Sequence, residues 1–573
     1  MTDALSRTEY HAPIDARPFA IAAWATLGLT GLVVIALLVL PVPMPIGAMY
    51  WDTFLYPDAA HRIALGQLPN VDFFTPVGPL DYFLYALVQA VFPGAHPLLA
   101  ASWAVAPVTI PAMALVTLDV TRRDPLLALA LIVPFAVYTV LPFNTSDHYV
   151  FPGADGFGIY NRHASQLLYV LAATLIFVRG QWLQTALITA LMLALFLVKI
   201  TGFAAGGLLC LLALVAGRVR LLSAVVAAAI FLLALAALQA ATGITAAYLA
   251  DILALLAIND ASLALRLVQG ASRTGGTVIF AGLLALALLV LLPPRASLDQ
   301  PAWRASLDHP VVWLGAALIG GIFFESQNTG SQELIVLWPV VLLALRMAWL
   351  DQGATARTAV IALLAACTVL PPLVQTIQHA ARASFAMVRQ EPLIHDHLKS
   401  LGRVTVRPRW IERHERMRAH YLEYPQVFRA LADRRELPAY VLYSEHDFQF
   451  GLLRNADELV GRLKELEAGG LDYQTVMTLD FANPFPWLLD KQAPRHIAIG
   501  ADPYRAVPEP DAQVLGAIGE TDIVLEPQCP YRDNSRELRV LYAEALTGHV
   551  KVELTPCYRA YVQPRIAAWL SER

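Results

Sequence analysis

Uncharged apolar stretches recur from residue 19 to residue 374, and polar breaks of very uneven length separate them. Residues 19–41 hold no charge; at about 1.5 Å of rise per residue they can cross a hydrocarbon core of roughly 30 Å. Further apolar segments follow at 98–118, 126–141, 166–178, 185–198, 204–216, 222–241, 278–292, 311–324, 334–345 and 359–374. The pattern predicts a mainly α polytopic membrane protein of about eleven transmembrane helices. The first stretch reads as a retained span rather than a signal peptide, because a long polar lead precedes it and it exceeds the usual apolar core of a leader.

Beyond residue 378 the periodicity changes. Residues 378–438 are charged and helix-like. Short β-type runs then appear at 439–443, 474–479, 496–499, 522–525, 550–554 and 558–562, with helical periods at 456–467 and 535–545. They predict a small soluble α/β domain. No glycine-rich nucleotide motif occurs in it.

Composition agrees with the pattern. Of 573 residues 57% are hydrophobic and 15% charged, against roughly 25% charged in soluble domains. The net charge of −4 and the lack of a basic stripe argue against a nucleic-acid partner. Arginines 122, 123, 179, 218, 220, 295, 304 and 357 gather in the turns of one side, so that side reads as cytoplasmic. The N-terminus then lies inside, and an odd number of crossings puts the C-terminal domain outside. There Cys529 and Cys557 can oxidise to a disulfide; two buried free thiols are the alternative. Cys210 and Cys367 lie in apolar segments.

The outward loops are the long, residue-rich ones, and the first, at 44–79, holds most of the candidate chemistry. Asp52 follows Tyr50-Trp51, aromatics of the interfacial kind. A carboxylate at the rim between lipid and water can have its proton affinity raised, which suits a general base. The plainer role is to cap a helix over 54–65. Candidate cations are His61, Arg62, Arg162, His163 and Lys199, with Arg266 and Arg273 behind them. Arg162 could equally snorkel to lipid head groups. Lys199 lies between two apolar runs, where it marks either a polar cavity or a short outer turn. Asp58, Asp72, Asn161, Glu325, Gln327 and Asn328 offer the mixed donors and acceptors that hydroxyl groups need, although residues 325–333 also read as a capped helix turn. With Asp147 and Asp155 these acids could hold a divalent cation, but no ligand spacing defines a metal site, and no motif calls for a cofactor.

One run resembles a known family. Asp52, Tyr56, Ala60, Gly66, Asp72-Phe73 and Gly78-Pro79-Leu80, with Tyr82 and Tyr85, resemble the first outer loop of the GT-C superfamily of polytopic glycosyltransferases, which includes protein mannosyltransferases and aminoarabinose transferases. Residues 196–202 resemble its Leu-Thr-Lys-Gly segment, and Tyr160-Asn161-Arg162 a Tyr-Asn-Arg of bacterial members. The resemblance covers about residues 15–377. Thr53 stands where many members have a second acid, and Pro76-Val77-Gly78-Pro79-Leu80 replaces a Lys-Pro-Pro-Leu re-entry.

The resemblance implies a bacterial inner-membrane enzyme that moves a sugar from a polyprenyl-phosphate donor to a hydroxyl of a glycan, lipid or protein acceptor on the periplasmic face. Asp52 would be the base, and the reaction would invert the anomeric carbon. Arg162, with another cation among His61, Arg62, His163 and Lys199, would hold the departing phosphate. The polar set Asp58, Asp72, Asn161, Glu325, Gln327 and Asn328 would meet sugar or acceptor; by loop length and position, not by the resemblance, residues 241–276 would cover the lipid cleft. The chain then divides into a GT-C-like membrane domain at 1–377, a helical connector at 378–438 and a periplasmic α/β domain at 439–573. Two rival readings are a transporter or flippase for a lipid-linked substrate, which calls for internal repeat symmetry, and a non-catalytic envelope assembly protein. A late-loop ligase is a third, but the richest loop comes first.

Overall fold

The computed structural model describes residues 16–47, 49–146, 152–259, 262–292, 301–326, 330–436 and 446–572. A helix forms over each apolar segment. Among the described residues Arg17–Val39, Gln181–Val198, Leu221–Thr242 and Ala356–Arg389 are long and apolar enough to cross a membrane, and the bent pair Ile244–Ile258 and Leu263–Arg273 adds a fifth if it is one span. Shorter apolar helices pack among them, including Ala106–Thr121, Pro125–Val140, Ile200–Val215, Gly275–Leu291 and Pro310–Ser326. Local chemistry sets several of their starts: Asp124 accepts a hydrogen bond from the Leu127 amide with Pro125 behind it, and Thr355 accepts one from Thr358.

The helix Ile159–Phe177 is buried along almost its whole length and forms the axis of the bundle. Leu221–Thr242 is the opposite case, with Leu221, Val225, Leu232 and Leu233 more than half exposed. An apolar face that wide has no place in water, and it is where lipid would lie.

The break in composition near residue 377 falls inside the continuous helix Ala356–Arg389. Beyond it the chain returns to its own beginning. Strand β1 (Met44–Pro45), at the entry to the first outer loop, runs parallel to β3 (Val404–Val406), whose other edge takes β2 (Glu391–Pro392) antiparallel. The α/β part is a four-stranded sheet in the order β4 (Val476–Thr478), β5 (Ile523–Pro527), β7 (Tyr558–Val562), β6 (Val550–Thr555). Only β4 and β5 are parallel. Its residues alternate as strands must: Val476, Ile523 and Leu525 face the helix His446–Ala468, and Met477 and Val524 face Ile518 and Leu538.

The run at 496–499 does not join this sheet. It pairs instead with Phe74 of the outer loop. The run expected at 439–443 lies outside the described residues. Cys529 and Cys557 are joined as a disulfide across 28 residues. One apolar core runs from Val34 and Tyr50 through Tyr85 to Leu453 and Tyr558, so the first loop and the α/β part are packed as a unit.

Candidate active site

Asp52 sits on a single 3-10 turn, Tyr50–Phe54, that opens from Met49 in the left-handed region. Aromatic side chains pin the turn from several directions. The Tyr50 hydroxyl donates to the Leu401 carbonyl at 3.1 Å. Trp51 meets Phe448 of the soluble part edge to face, 6.0 Å between centroids. Tyr56 lies 5.7 Å from Tyr82 and 5.5 Å from Tyr85.

The capping role is not what the structure gives Asp52: the following helix Leu55–Ala64 has Phe54 at its N-cap and no side-chain cap bond. Burial pushes the Asp52 carboxyl up to about 7, against the Gly158 backbone amide and the positive charges of Arg505 and Arg162. The ionised and neutral forms are then both available near neutral pH, the condition a proton acceptor needs.

Gly158 brings that amide into place. It holds φ +70 as it opens the helix Ile159–Phe177, and a Cβ on it would fall 2.0 Å from the Gly330 carbonyl oxygen. Arg162 follows one turn later, 1% exposed, with its guanidinium bonded to neutral oxygens: Asn144 Oδ1 at 2.8 Å, Ser102 Oγ at 3.2 Å and the Phe157 carbonyl at 3.3 Å. The carboxylates whose charge reaches it are Asp155 and Asp52.

Lys199 interrupts two helices as one extended residue. It is buried, with Nζ 2.5 Å from Asn161 Oδ1 and 4.4 Å from the Phe324 ring centroid, and the Glu325 charge acts on it. A paired lysine packed inside protein is not a short outer turn. The re-entry at Gly78 closes over this break: its amide donates to the Val198 carbonyl at 3.0 Å, and a Cβ there would lie 2.0 Å from the Leu197 oxygen. Glu325 also accepts from Ser331, and Gln332 ties residues 330–333 to Gln166 and Tyr138. Gln327, Asn328 and Asp147 lie outside the described residues.

Four expected site residues are put to another use. Arg62 is fully buried, with Nε 3.1 Å from Asp58 Oδ1 and Nη1 bonded to Gln67 and to the Pro494 carbonyl. His61 reaches the Lys491 carbonyl at 2.7 Å. Asp72 holds Arg495 at 2.9 Å and the Leu68 amide at 2.7 Å. Asp58, His61, Arg62 and Asp72 therefore fasten the outer loop to the soluble part. His163 is spent as well, with Nδ1 2.9 Å from the buried Asp81 and Nε2 3.1 Å from the Ser102 carbonyl. Neither ring nitrogen is left for a phosphate.

Arg505 is the residue that sequence reasoning missed. It is more than half exposed, bonded to Asp502 at 2.7 Å, and its charge falls on an aspartate more than 450 residues earlier in the chain. No local motif surrounds it. Among the described residues no group of three or more His, Cys, Asp or Glu is placed to hold a metal ion.

The architecture is similar to that of several solved structures. One is apo ArnT, an aminoarabinose transferase, from Cupriavidus metallidurans: 14% identity, 94% of this chain and 98% of that chain covered, TM-score 0.40. The same protein bound to undecaprenyl phosphate gives 13% identity, 94% and 97% coverage, and TM-score 0.41. The oligosaccharyltransferase AglB from Archaeoglobus fulgidus, in complex with an inhibitory peptide and a dolichol phosphate, gives 13% identity, 95% and 74% coverage, and TM-score 0.36. No protein-family model and no curated protein matches the chain.

Proposed function

We propose that this protein is a membrane glycosyltransferase that moves a sugar from a polyprenyl-phosphate donor to an acceptor hydroxyl at the outer face of the bacterial inner membrane. The observation that carries this reading is the Asp52 carboxyl. It is raised to about 7 on a rigid turn, free of capping duty, and under the influence of two guanidinium groups.

Asp52 takes the proton of the acceptor hydroxyl as that oxygen attacks the anomeric carbon from the side opposite the phosphate. One displacement inverts the configuration. The C–O bond to phosphate breaks, and negative charge grows on the departing oxygen. Arg162, held rigidly by neutral oxygens, and Arg505, reaching in from the soluble part, supply positive charge that needs no rearrangement at that moment. Lys199 stands behind them as a positioning residue through Asn161. Tyr50, Trp51 and Tyr56 keep bulk water from the turn. The polyprenyl chain would lie against the exposed apolar helices.

The test is turnover of purified protein with a polyprenyl-phosphate sugar, wild type against Asp52→Asn. Loss of transfer with unchanged thermal unfolding is the expected result. Full turnover by the variant overturns the assignment.

A further inference from the structure

A polar cavity of about 230 Å³ lies where three parts of the chain meet: the turn at Asn70, the helix Ile244–Ile258 through Asp251, and the α/β part through His496, Glu509, Asp511 and Gln513. It is smaller than the roughly 300–1,000 Å³ of drug-sized ligand sites and has room for a group of monosaccharide size.

Its lining is not explained by folding alone. Asp251 is the one acidic residue of an otherwise uncharged 15-residue helix whose neighbours Leu249, Leu253 and Leu256 are exposed, and a carboxylate in such a helix is costly unless something uses it. Its hydrogen bonds, from Asn70 Nδ2 at 2.8 Å and the Thr75 amide at 3.4 Å, both fall on Oδ2. Among the described residues none bonds to Oδ1. Asn70 is only 7% exposed, yet its own Oδ1 is buried without a hydrogen bond, a costly omission unless a ligand or water completes it. Around these atoms stand three carboxylates, two amides and one imidazole, with Phe74 and Tyr542 as apolar walls. Carboxylates and amide oxygens accept from hydroxyl groups, and amide N–H groups donate to them. Three carboxylates repel any anion.

The cavity is also close to the proposed chemistry. Arg505, which acts on Asp52, lies four residues before Glu509, a stretch of chain that spans at most about 14 Å. The Arg505 carbonyl accepts from Asn259 at the end of the helix that carries Asp251. The helix that carries Asp251 is thus tied to the segment that carries Arg505.

We infer that this cavity is a subsite for a hydroxyl-rich, non-anionic sugar unit, and hence that the acceptor of the transfer is a glycan that carries no acidic group at this position. The inference rests on the glycosyltransferase reading above for the word acceptor, and on the cavity alone for the sugar.

Binding of purified full-length protein to a printed array of neutral, amino and acidic glycans tests it. The wild type should bind neutral or amino glycans and leave carboxylated, sulfated and phosphorylated ones. Glu509→Gln with Gln513→Ala, both on exposed positions, should lower the signal at least tenfold at unchanged thermal unfolding, and Asp251→Asn should do the same. No glycan binding, a preference for acidic glycans, or full binding by the Glu509/Gln513 variant overturns the subsite. Donor turnover, measured on the same samples, keeps the two ideas apart. If Asp52→Asn retains turnover while array binding still needs Glu509, the catalytic assignment falls and the subsite stands. If turnover needs Asp52 and the array stays blank, the reverse holds.

Discussion

The two halves of the first outer loop begin from the same ingredients and end in different states. Residues 50–56 carry one acid among aromatics, residues 58–72 carry two acids with a histidine and an arginine, and on composition either could serve chemistry. In the second half every acid and cation that looked available is engaged: Asp58 with Arg62, Arg62 with Pro494, His61 with Lys491 and Asp72 with Arg495. In the first half Asp52 is neither a cap nor a contact ion-pair partner of the cations near it. A buried charge with a dedicated partner is glue. One held by its surroundings and reached by charges from a distance is a candidate for work.

The largest effect expected is at Asp52. Removal of the base by Asp52→Asn should lower turnover by about 10²- to 10⁴-fold without loss of folded protein in thermal unfolding. A similar loss from Asp58→Asn, at unchanged stability, would erase the distinction between the two halves.

Arg62 should show the opposite signature. Arg62→Ala leaves Asp58 buried without its partner and should cost about 3–5 kcal/mol of stability, most of it recovered when Asp58→Leu and Arg62→Met are combined. Thermal unfolding of purified protein reads this directly. Activity lost at an unchanged unfolding temperature would return Arg62 to the donor site.

The pH dependence sharpens the comparison further. As the proposed base, Asp52 would act only when ionised, so kcat/KM should rise with pH through about 7 and level off above it. For stability the sign is reversed. The folded value lies above the ordinary 3.8, so the Asp52 contribution is complete below that value and is lost as pH climbs through about 7. Asp52→Asn, which cannot ionise, should gain stability relative to the wild type between pH 4 and 8. A flat difference in unfolding temperature across that range would mean that the carboxyl is not desolvated.

The smallest effect belongs to Asp72→Asn. Arg495 is 56% exposed in its pair with Asp72, and such pairs contribute about 1 kcal/mol or less. Turnover should not move.

Much of the architecture is legible along the chain. Apolar length marks where helices form, and the alternation at 522–525, 550–554 and 558–562 marks the strands of the sheet, because burial of a helix face or a strand face is written in local periodicity. The aspartate at the head of the loop, the glycine at 78 and the arginine at 162 were visible for a related reason: each lies inside a short motif whose residues become spatial neighbours. The capping expectation for Asp52 failed because a 3-10 turn, held by Tyr50 and Trp51 through partners in the soluble part, replaced the start of the α-helix.

Sequence alone, then, determined the helical class and singled out the first loop, with the aspartate at its head, as the place to look for chemistry, since hydrophobic period and motif spacing are local properties. Tertiary structure decided which charges are spent and which are left. Arg62 and His163 were consumed by Pro494 and Asp81, and Arg505 was brought to Asp52 from the far end of the chain. A side chain's electrostatic role depends on partners within a few ångströms, and those partners are chosen by packing between segments hundreds of residues apart.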